Sequence, residues 1–250
     1  MNAPGMNAPG MNEQAPAVPG RTLVVATGNA GKLREITEVL GALGIAVVPF
    51  VPEGLAETGG SFVENALIKA RDAALHTGRP ALADDSGLEV DALQGAPGIY
   101  SARYAGEGAS DGDNLARLLT EMADVPDERR SARFHCVLAY LRYPQDPVPL
   151  IAHGVWEGRV LHAPCGTNGF GYDPVFYVTS HGCSAAELAP AVKNRLSHRG
   201  QALRQLHSIL GAFLKTGNDT GYGHPSPPGI PSPSNGHKSP PSVPLPPGEG

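Results

Sequence analysis

The sequence predicts an α/β domain, in which strands and helices alternate along the chain. Short apolar runs, which are typical of buried strands, alternate with segments whose apolar residues recur every three or four positions, which is typical of helices. Turns that contain glycine or proline separate most of these segments. With 250 residues, of which 41% are hydrophobic, the chain is long enough to bury the core of one large domain or two small ones.

The two ends of the chain differ in composition from its middle. Residues 1–20 contain a tandem Met-Asn-Ala-Pro-Gly repeat, and residues 216–250 are dominated by proline, glycine and serine. Such segments offer too little apolar surface to offset the entropy lost on ordering, so we expect both to be disordered. The expected folded domain therefore spans residues 21–215.

The expected elements follow one another in a regular order. Residues 23–26 form the first predicted strand, and Leu33, Ile36, Leu40 and Leu43 lie on one face of the helix after it. The further predicted elements are strand 46–51 broken by Pro49, a helix from residue 62 capped by Ser61 and Glu64, strand 80–83, helix 111–122, strand 132–142, strand 151–160, strand 175–178 and helix 197–210.

The loop between the first strand and the first helix is a candidate phosphate site. It reads Thr27-Gly28-Asn29-Ala30-Gly31-Lys32. A helix N-terminus directs backbone N–H groups and a positive dipole end at an anion, and a lysine adds a mobile charge. The spacing matches neither the Walker A pattern nor the dinucleotide pattern G-x-G-x-x-G. An ordinary strand-to-helix connection would also explain the glycines.

Two adjacent acids, Asp84 and Asp85, follow the strand at 80–83, and we expect them at its end, where open α/β sheets bind ligands. In an extended chain their side chains point to opposite faces, so one is expected to be functional and the other structural. Both could instead cap a turn. A carboxylate beside phosphates requires a cation, and we expect Glu57 and Asp85 to hold magnesium.

Two later segments complete the candidate site. Lys193, His198 and Arg199 form a basic cluster at the start of the last helix, which suits a polyphosphate but is also typical of a solvated helix start. The loop residues that could stack on a base and contact its edge are Phe170, Gly171, Tyr172 and Asp173. The two aromatic residues could equally be core residues.

Charge and composition exclude several other classes of protein. The net charge of −5 and the pI of about 6.0 argue against a nucleic-acid-binding surface. No apolar run approaches the roughly 18 residues of a membrane span, and the N-terminus has no secretory signal, so we expect a cytoplasmic protein. The cysteines, Cys136, Cys165 and Cys183, are an odd number without a C-x-x-C pair, which predicts neither a disulfide framework nor a zinc site.

Six ordered motifs within residues 21–212 carry a resemblance to a known family. They are Ala-Thr-Gly-Asn-Ala-Gly-Lys at 26–32, Glu-Thr-Gly-Gly-Ser-Phe-Val-Glu-Asn-Ala at 57–66, Ala-Asp-Asp-Ser-Gly-Leu at 83–88, Gly-Ala-Pro-Gly-Ile-Tyr-Ser-Ala-Arg-Tyr at 95–104, Gly-Phe-Gly-Tyr-Asp-Pro at 169–174 and Ser-His-Arg at 197–199. In these motifs the chain resembles the noncanonical purine nucleoside triphosphate pyrophosphatases, also called dITP/XTP or inosine triphosphate pyrophosphatases.

The resemblance implies an elongated mixed sheet with flanking helices, two lobes around a central cleft, and a homodimer. It also implies magnesium-dependent hydrolysis of ITP, dITP and XTP to the monophosphate and pyrophosphate. The implied roles are triphosphate binding by Thr27, Gly28, Asn29, Ala30, Gly31 and Lys32, proton acceptance and metal binding by Asp85, metal binding by Glu57, substrate contact by Ser86, base binding by Phe170, Gly171, Tyr172 and Asp173, and completion of the nucleotide site by Lys193, His198 and Arg199.

This interpretation requires that Asp85 face the cleft that Lys32 and Arg199 line. Two rival functions are open from the sequence. One is a pyrophosphatase that acts on modified pyrimidine or on common nucleotides, and the other is a nucleotide sensor without turnover. The acids Asp85 and Glu57 disfavour the sensor, because a binding protein has little use for carboxylates beside phosphates.

Overall fold

A computed structural model describes residues 22–41 and 44–215, with side chains described as far as residue 212. Its contacts divide the chain into a unit Met1–Ala212, which holds every strand of the described residues, and a unit Phe213–Gly250. The predicted disorder of residues 1–20 and 216–250 lies outside the described residues. The domain limits 21–215 stay a prediction.

Seven strands of the described residues form one mixed sheet in the order β2-β1-β3-β4-β5-β6-β7. The strands are β1 (Thr22–Ala26), β2 (Ala46–Phe50), β3 (Ala81–Val90), β4 (Ser131–Leu141), β5 (Leu150–Val160), β6 (Phe176–Val178) and β7 (Cys183–Ser184). β1 pairs in parallel with β2 and β3, and all later pairs are antiparallel. The flanking α-helices are α1 (Ala30–Gly41), α2 (Phe62–Thr77), α3 (Asp111–Glu121), α4 (Pro190–Leu196) and α5 (His198–Lys215). The predicted α/β class is confirmed.

Helix α2 covers one face of the sheet through a stripe of alanines. Ala66, Ala70, Ala73 and Ala74 are fully buried and pack against small residues of β1, β3 and β4. Such short side chains let the helix axis approach the sheet closely. The predicted N-cap is confirmed, because the Ser61 side chain accepts a hydrogen bond from the Glu64 N–H. This close packing carries the polar residues of α2 towards β3.

The opposite face of the sheet is covered by α1 and α5. Buried residues of both helices, among them Ile36 and Leu206, form one cluster with residues of β1, β3 and β4. A further cluster, around Phe134, Trp156 and Phe176, lies towards the end of the sheet formed by β6 and β7. Gly154 of β5 lets α5 begin against the sheet, since a Cβ there would lie 2.0 Å from the carbonyl oxygen of His198. The start of α5 is thereby fixed beside β4 and β5.

The structure also bears on the expectations for Pro49, for the cysteines and for membrane spans. Pro49 does not break its strand, because β2 is the edge strand and its outer side needs no N–H donor. Cys136 lies fully buried in β4, where it is a small core residue, and burial raises the pKa of its thiol to about 12. Among the described helices, none is long and apolar enough to cross a membrane.

The two acids do not lie at a strand end as predicted. β1 pairs with β3 only as far as Ala83, whereas β3 continues to Val90 because β4 pairs with its whole length. Asp84 and Asp85 are therefore the first residues of β3 beyond the end of β1, inside a long antiparallel pair. The alternative prediction, that both acids cap a turn, is wrong for the same reason.

Candidate active site

Asp84 and Asp85 contact different partners, as the alternation of side chains along a strand predicts. Asp84 Oδ2 lies 2.9 Å from Lys32 Nζ and 3.6 Å from an Arg199 guanidinium nitrogen. Asp85 Oδ1 lies 2.8 Å from the Nζ of Lys69 in α2. The adjacent acids thus belong to opposite faces of β3.

This arrangement corrects one prediction. Lys32 and Arg199 were expected to share a cleft with Asp85, but both contact Asp84. The physical reason is the unbroken strand, which turns only one of two adjacent side chains towards α1 and α5. Asp85 still lies within the field of Lys32, which lowers its pKa against the larger effect of burial. The charged groups of both faces therefore meet at one segment of β3.

The Asp85 face contains a second carboxylate and a buried lysine. Lys69 Nζ contacts Glu57 Oε1 at 3.3 Å as well as Asp85. Burial raises the pKa of Asp85, and its Oδ2 is buried without a hydrogen-bond partner. Burial opposes the charge of Lys69, but Asp85, Asp84 and Glu57 outweigh it and raise the lysine pKa. Glu57 and Asp85, the predicted pair of metal ligands, therefore both contact the ammonium group of Lys69.

The donor atoms on this face fit a hard divalent cation. Within residues 22–41 and 44–215 no group of three or more His, Cys, Asp and Glu side chains could hold a metal ion. Magnesium does not require such a cage, since one or two carboxylates, water and substrate phosphate complete its octahedron. The unpartnered Oδ2 of Asp85 and the neighbouring Glu57 supply oxygen ligands of that kind.

The Asp84 face is a chain of alternating charges. Arg199 donates to Glu35 at 2.6 Å and to Ser86 at 3.1 Å, while Glu35 also lies 3.8 Å from Lys193. Burial alone would raise the pKa of Asp84, but Lys32, Arg199 and Lys69 outweigh it and hold that pKa well below its usual range. Each charge in this chain contacts opposite charges, so the group can remain ionised although it is buried.

The charge chain ends at the loop predicted to surround a base. Asp173 Oδ2 accepts hydrogen bonds from Lys193 Nζ at 2.5 Å and from the Phe170 N–H at 2.9 Å. Burial raises the pKa of Asp173. Gly171 donates its N–H to Asp111 of α3 at 2.8 Å. The conformation of the loop is thus stabilised by its own residue Asp173 and by a hydrogen bond to Asp111 of α3.

A cavity of about 100 Å³ lies between the charge chain and this loop. The predicted residues that line it are Asn29, Lys32, Ser86, Phe170, Gly171, Tyr172, Asp173, Lys193, His198 and Arg199. The Phe170 ring lies 4.9 Å from Lys193 Nζ and 5.6 Å from the Arg199 guanidinium carbon. Tyr172 is buried and donates to the Ser101 carbonyl at 2.8 Å. Phe170 is thus a cavity residue, and Tyr172 is also a core residue.

His198 is not part of a solvated basic cluster. Lys193, His198 and Arg199 are all buried, so that alternative is wrong. Burial, with Arg199 and Lys193 nearby, lowers the pKa of His198 well below its usual value. Its ring stacks on Phe134 at 4.7 Å, and its Nδ1 is buried without a partner. His198 is therefore a neutral ring at the cavity wall.

The predicted phosphate loop is only partly directed at the cavity. Asn29 caps α1, because its Oδ1 accepts from the Lys32 N–H at 3.0 Å, and Thr27 Oγ1 accepts from the Asn29 N–H at 3.1 Å. Thr27, Gly28, Ala30 and Gly31 do not line the cavity, and neither do Asp85 and Glu57. Gly31 lies against Phe170, since a Cβ there would be 3.0 Å from the ring. The predicted phosphate loop therefore contacts the loop that carries Phe170.

Sequence reasoning missed two charged residues of the site. Lys69 lies in the buried alanine stripe of α2, and a lysine in such a stripe is the signal that could have revealed it. Glu35 lies between Leu33 and Ile36 on α1 and carries no comparable signal. Its contacts with Arg199 and Lys193 depend on residues more than 150 positions away.

Comparison with known proteins places this geometry in a family. Residues 23–209 match the Ham1 family. A dITP/XTP pyrophosphatase of Vibrio cholerae is 60% identical over 194 residues, which cover 76% of this chain and 96% of that protein. A dITP/XTP pyrophosphatase of Shigella flexneri is 57% identical over 191 residues, which cover 75% of this chain and 97% of that protein.

Solved structures agree with the sequence comparison. A HAM1 protein from Coxiella burnetii has a TM-score of 0.72 and 52% identity, with coverage of 77% of this chain and 100% of that one. A nucleoside-triphosphatase, dITP/XTP pyrophosphatase, from Mycobacterium abscessus has a TM-score of 0.61 and 43% identity, with coverage of 76% and 99%. The family match at residues 23–209 includes all of the sheet except Thr22 and every residue of the charge chain, and this protein therefore belongs to the Ham1 family.

Proposed function

We propose that this protein hydrolyses dITP, ITP and XTP to the nucleoside monophosphate and pyrophosphate, with magnesium as cofactor. The single cleft required from the sequence is replaced in this proposal by two faces that meet at Asp84 and Asp85 of β3, and the opposite placement of these two acids is the observation that carries it. One face offers two carboxylates with an unpartnered oxygen, and the other offers cations beside a cavity. The names of relatives at up to 60% identity support the same activity.

Asp85 is the proposed proton acceptor. Burial raises its pKa, which makes its carboxylate a stronger base than an exposed one. A water oxygen attacks the α-phosphorus, its proton passes to the Asp85 carboxylate, and the bond between the α-phosphorus and the α,β-bridging oxygen breaks to release pyrophosphate. Asp85 and Glu57 would hold magnesium, which when bound supplies positive charge to the phosphate oxygens. Lys69 holds both carboxylates in place.

The cations on the other face are proposed to bind the phosphate chain. Lys32 offers an ammonium group, and Arg199 offers a guanidinium that Glu35 and Ser86 orient. Positive charge placed where negative charge accumulates on the departing pyrophosphate stabilises the transition state. The loop Thr27–Gly31 carries Lys32 and is proposed to contact the same phosphates.

Base selection is proposed to depend on Phe170, Asp173, Lys193 and His198. Hypoxanthine and xanthine present a 6-keto acceptor beside an N1–H donor, whereas adenine reverses both. A buried ammonium, a carboxylate and a neutral imidazole with an unpartnered nitrogen offer donors and acceptors for that edge. A base of the wrong pattern leaves these buried groups unpaired, which can discriminate by orders of magnitude. Phe170 offers a ring for stacking.

A homodimer and a cytoplasmic location complete the proposal. Both are implied by the resemblance of the six motifs to the pyrophosphatase family. Light scattering during gel filtration of the full chain tests the first: we expect twice the monomer mass of 25.9 kDa, and a monomer peak contradicts it. Fractionation of cells that express the tagged chain tests the second.

Product identification tests the proposed function. Incubation with dITP and magnesium is expected to yield dIMP and pyrophosphate, whereas dIDP and orthophosphate would contradict the assigned bond. A panel that includes dATP, dCTP and modified pyrimidine triphosphates separates this function from the rival pyrophosphatases. Tight binding of dITP without any product would instead identify a sensor.

A further inference from the structure

Asn65 of α2 is a buried polar residue next to the acidic face of the site. Its side chain is fully buried, and it precedes Lys69 by four residues, which places both on one face of the helix. Asn65 Oδ1 accepts a hydrogen bond of 2.9 Å from the N–H of Gly59. Gly59 follows Glu57 by two residues. The amide of Asn65 therefore connects α2 to the loop that carries Glu57.

The approach of this loop to α2 is unusually close. A Cβ on Gly59 would lie 2.6 Å from the Glu64 Cβ and 2.7 Å from the Asn65 Oδ1, distances that real Cβ atoms do not adopt. Only glycine lets the backbone reach the Asn65 side chain at this point. The position of Glu57 is thus determined by a contact two residues further along the loop.

The nitrogen end of the Asn65 amide differs from the oxygen end in its hydrogen bonding within the described residues. The Gly59 donor fixes the orientation of the amide, because only oxygen can accept from it. Asn65 Nδ2 is then a buried donor without a partner among the described residues. A buried donor left without an acceptor destabilises the folded protein. The fold therefore retains at this point a donor that its own residues do not use.

Asn114 of α3 shows what a purely structural asparagine does in this fold. It is buried as well, and its Oδ1 accepts from the Ala105 N–H at 2.7 Å. Its Nδ2 donates to the Ala102 carbonyl at 3.1 Å, so both ends of the amide are used within the protein. Asn65 performs the same loop contact with one end only, beside Glu57 and Lys69.

We propose that Asn65 is a further residue of the active site: its Oδ1 positions Glu57 through Gly59, and its Nδ2 donates to an oxygen of the magnesium–triphosphate complex. This inference rests on the proposed function, because it assumes that the complex binds beside Asp85 and Glu57. Helix α2 would then contribute two residues of one helix face, Asn65 and Lys69, to the active site. The helix thereby couples loop position to ligand binding.

Four variants test the proposal by two measurements that do not require turnover. They are Asn65→Leu, Asn65→Asp, Gly59→Ala and the matched control Asn114→Leu. Calorimetry measures the affinity of each for dITP with nitrogen in place of the α,β-bridging oxygen, at fixed magnesium. Electron paramagnetic resonance measures the Mn²⁺ concentration that half-saturates the same complex, and thermal unfolding reports stability.

We expect Asn65→Leu and Gly59→Ala to raise the half-saturating Mn²⁺ concentration by about 10–100-fold, the range usual for residues that orient metal ligands. Asn65→Asp keeps the acceptor for Gly59 but replaces the donor with a second acceptor, so it should weaken analogue binding at least tenfold, and the buried carboxyl group should also lower the melting temperature. Asn114→Leu should lower the melting temperature and leave the Mn²⁺ requirement unchanged.

Two results would overturn the proposal. Equal Mn²⁺ requirements in Asn65→Leu, Asn114→Leu and the wild type would make Asn65 a structural residue only. Wild-type analogue affinity in Asn65→Asp would remove the role of Nδ2. A wild-type protein that releases no pyrophosphate from dITP would instead contradict the proposed function, and the binding measurements distinguish that failure from the other two.

Discussion

The two faces of β3 carry the same residue type in adjacent positions and give it opposite properties. Asp84 lies between Lys32 and Arg199, and these cations hold its pKa well below the usual range against its burial. Among the residues that the structure describes, Asp85 pairs only with Lys69 and has one buried oxygen without a partner, and burial raises its pKa. The number of neighbouring cations, and not the identity of the side chain, separates the two acids.

This difference indicates a division of work. A carboxylate with two close cations is strongly committed to its ionised form, so it anchors the basic groups and is a poor proton acceptor. A carboxylate with a raised pKa and an unused oxygen can accept a proton or bind a cation. The following predictions test whether Asp84 is the anchor and Asp85 the reactive acid.

The largest expected effect is that of Asp85→Asn on turnover. Loss of the proton acceptor should lower kcat for dITP by about 10²–10⁴-fold, the usual contribution of a positioned base. The amide preserves the shape of the side chain, so the fold should remain intact. Pyrophosphate release and circular dichroism measure the two expectations. Near-normal kcat would remove Asp85 from the chemistry.

Asp84→Asn should act mainly on stability. It removes one partner from a buried ion-pair cluster and leaves Lys32 and Arg199 with an excess of positive charge. Such changes typically lower the free energy of unfolding by about 3–5 kcal/mol. Urea denaturation of Asp84→Asn and of Asp85→Asn compares the two faces. A smaller loss in Asp84→Asn than in Asp85→Asn would contradict the anchor role.

The glutamates beside each aspartate extend the comparison. Glu57→Gln on the Asp85 face should raise the magnesium concentration needed for half-maximal rate by about 10–100-fold, because one proposed ligand loses its charge. Glu35→Gln on the Asp84 face should raise KM for dITP instead, because Arg199 and Lys193 lose a shared partner. Kinetics at varied magnesium and varied dITP separate the two effects. Identical responses in both variants would contradict the proposal that the two faces have different roles.

Acidification should remove activity before it removes the fold. Because the pKa of Asp85 is raised, a falling pH protonates its basic form before it reaches the ordinary aspartate pKa of about 3.9. Below the raised pKa of Asp85, kcat/KM should fall about tenfold per pH unit. The lowered pKa of Asp84 adds stability that is present above about 3.9 and is lost only as pH falls through its lower folded value. When both are measured over the same pH series, the rate should fall at a higher pH than the ellipticity. Coincident curves would contradict the assignment.

The sequence could predict the elements near each motif because local signals determine them. The cap at Ser61, the leucine face of α3 and the opposite orientation of Asp84 and Asp85 all follow from spacing within a few residues. The continuation of β3 to Val90 could not be predicted, since it depends on pairing with β4 some fifty residues later. The partners Lys69 and Glu35 were missed because contacts between distant elements are set by tertiary packing and not by local pattern.

A crystal structure with Mn²⁺ and the α,β-imido analogue of dITP tests the central claim most directly. The anomalous signal of the ion locates it without reference to the chemistry. The account predicts that the Mn²⁺ peak lies within coordination distance, about 2.0–2.6 Å, of Asp85 and Glu57 oxygens, with Asp84 still paired to Lys32 and Arg199. An ion coordinated by Asp84, with Asp85 bound only to Lys69, would contradict it.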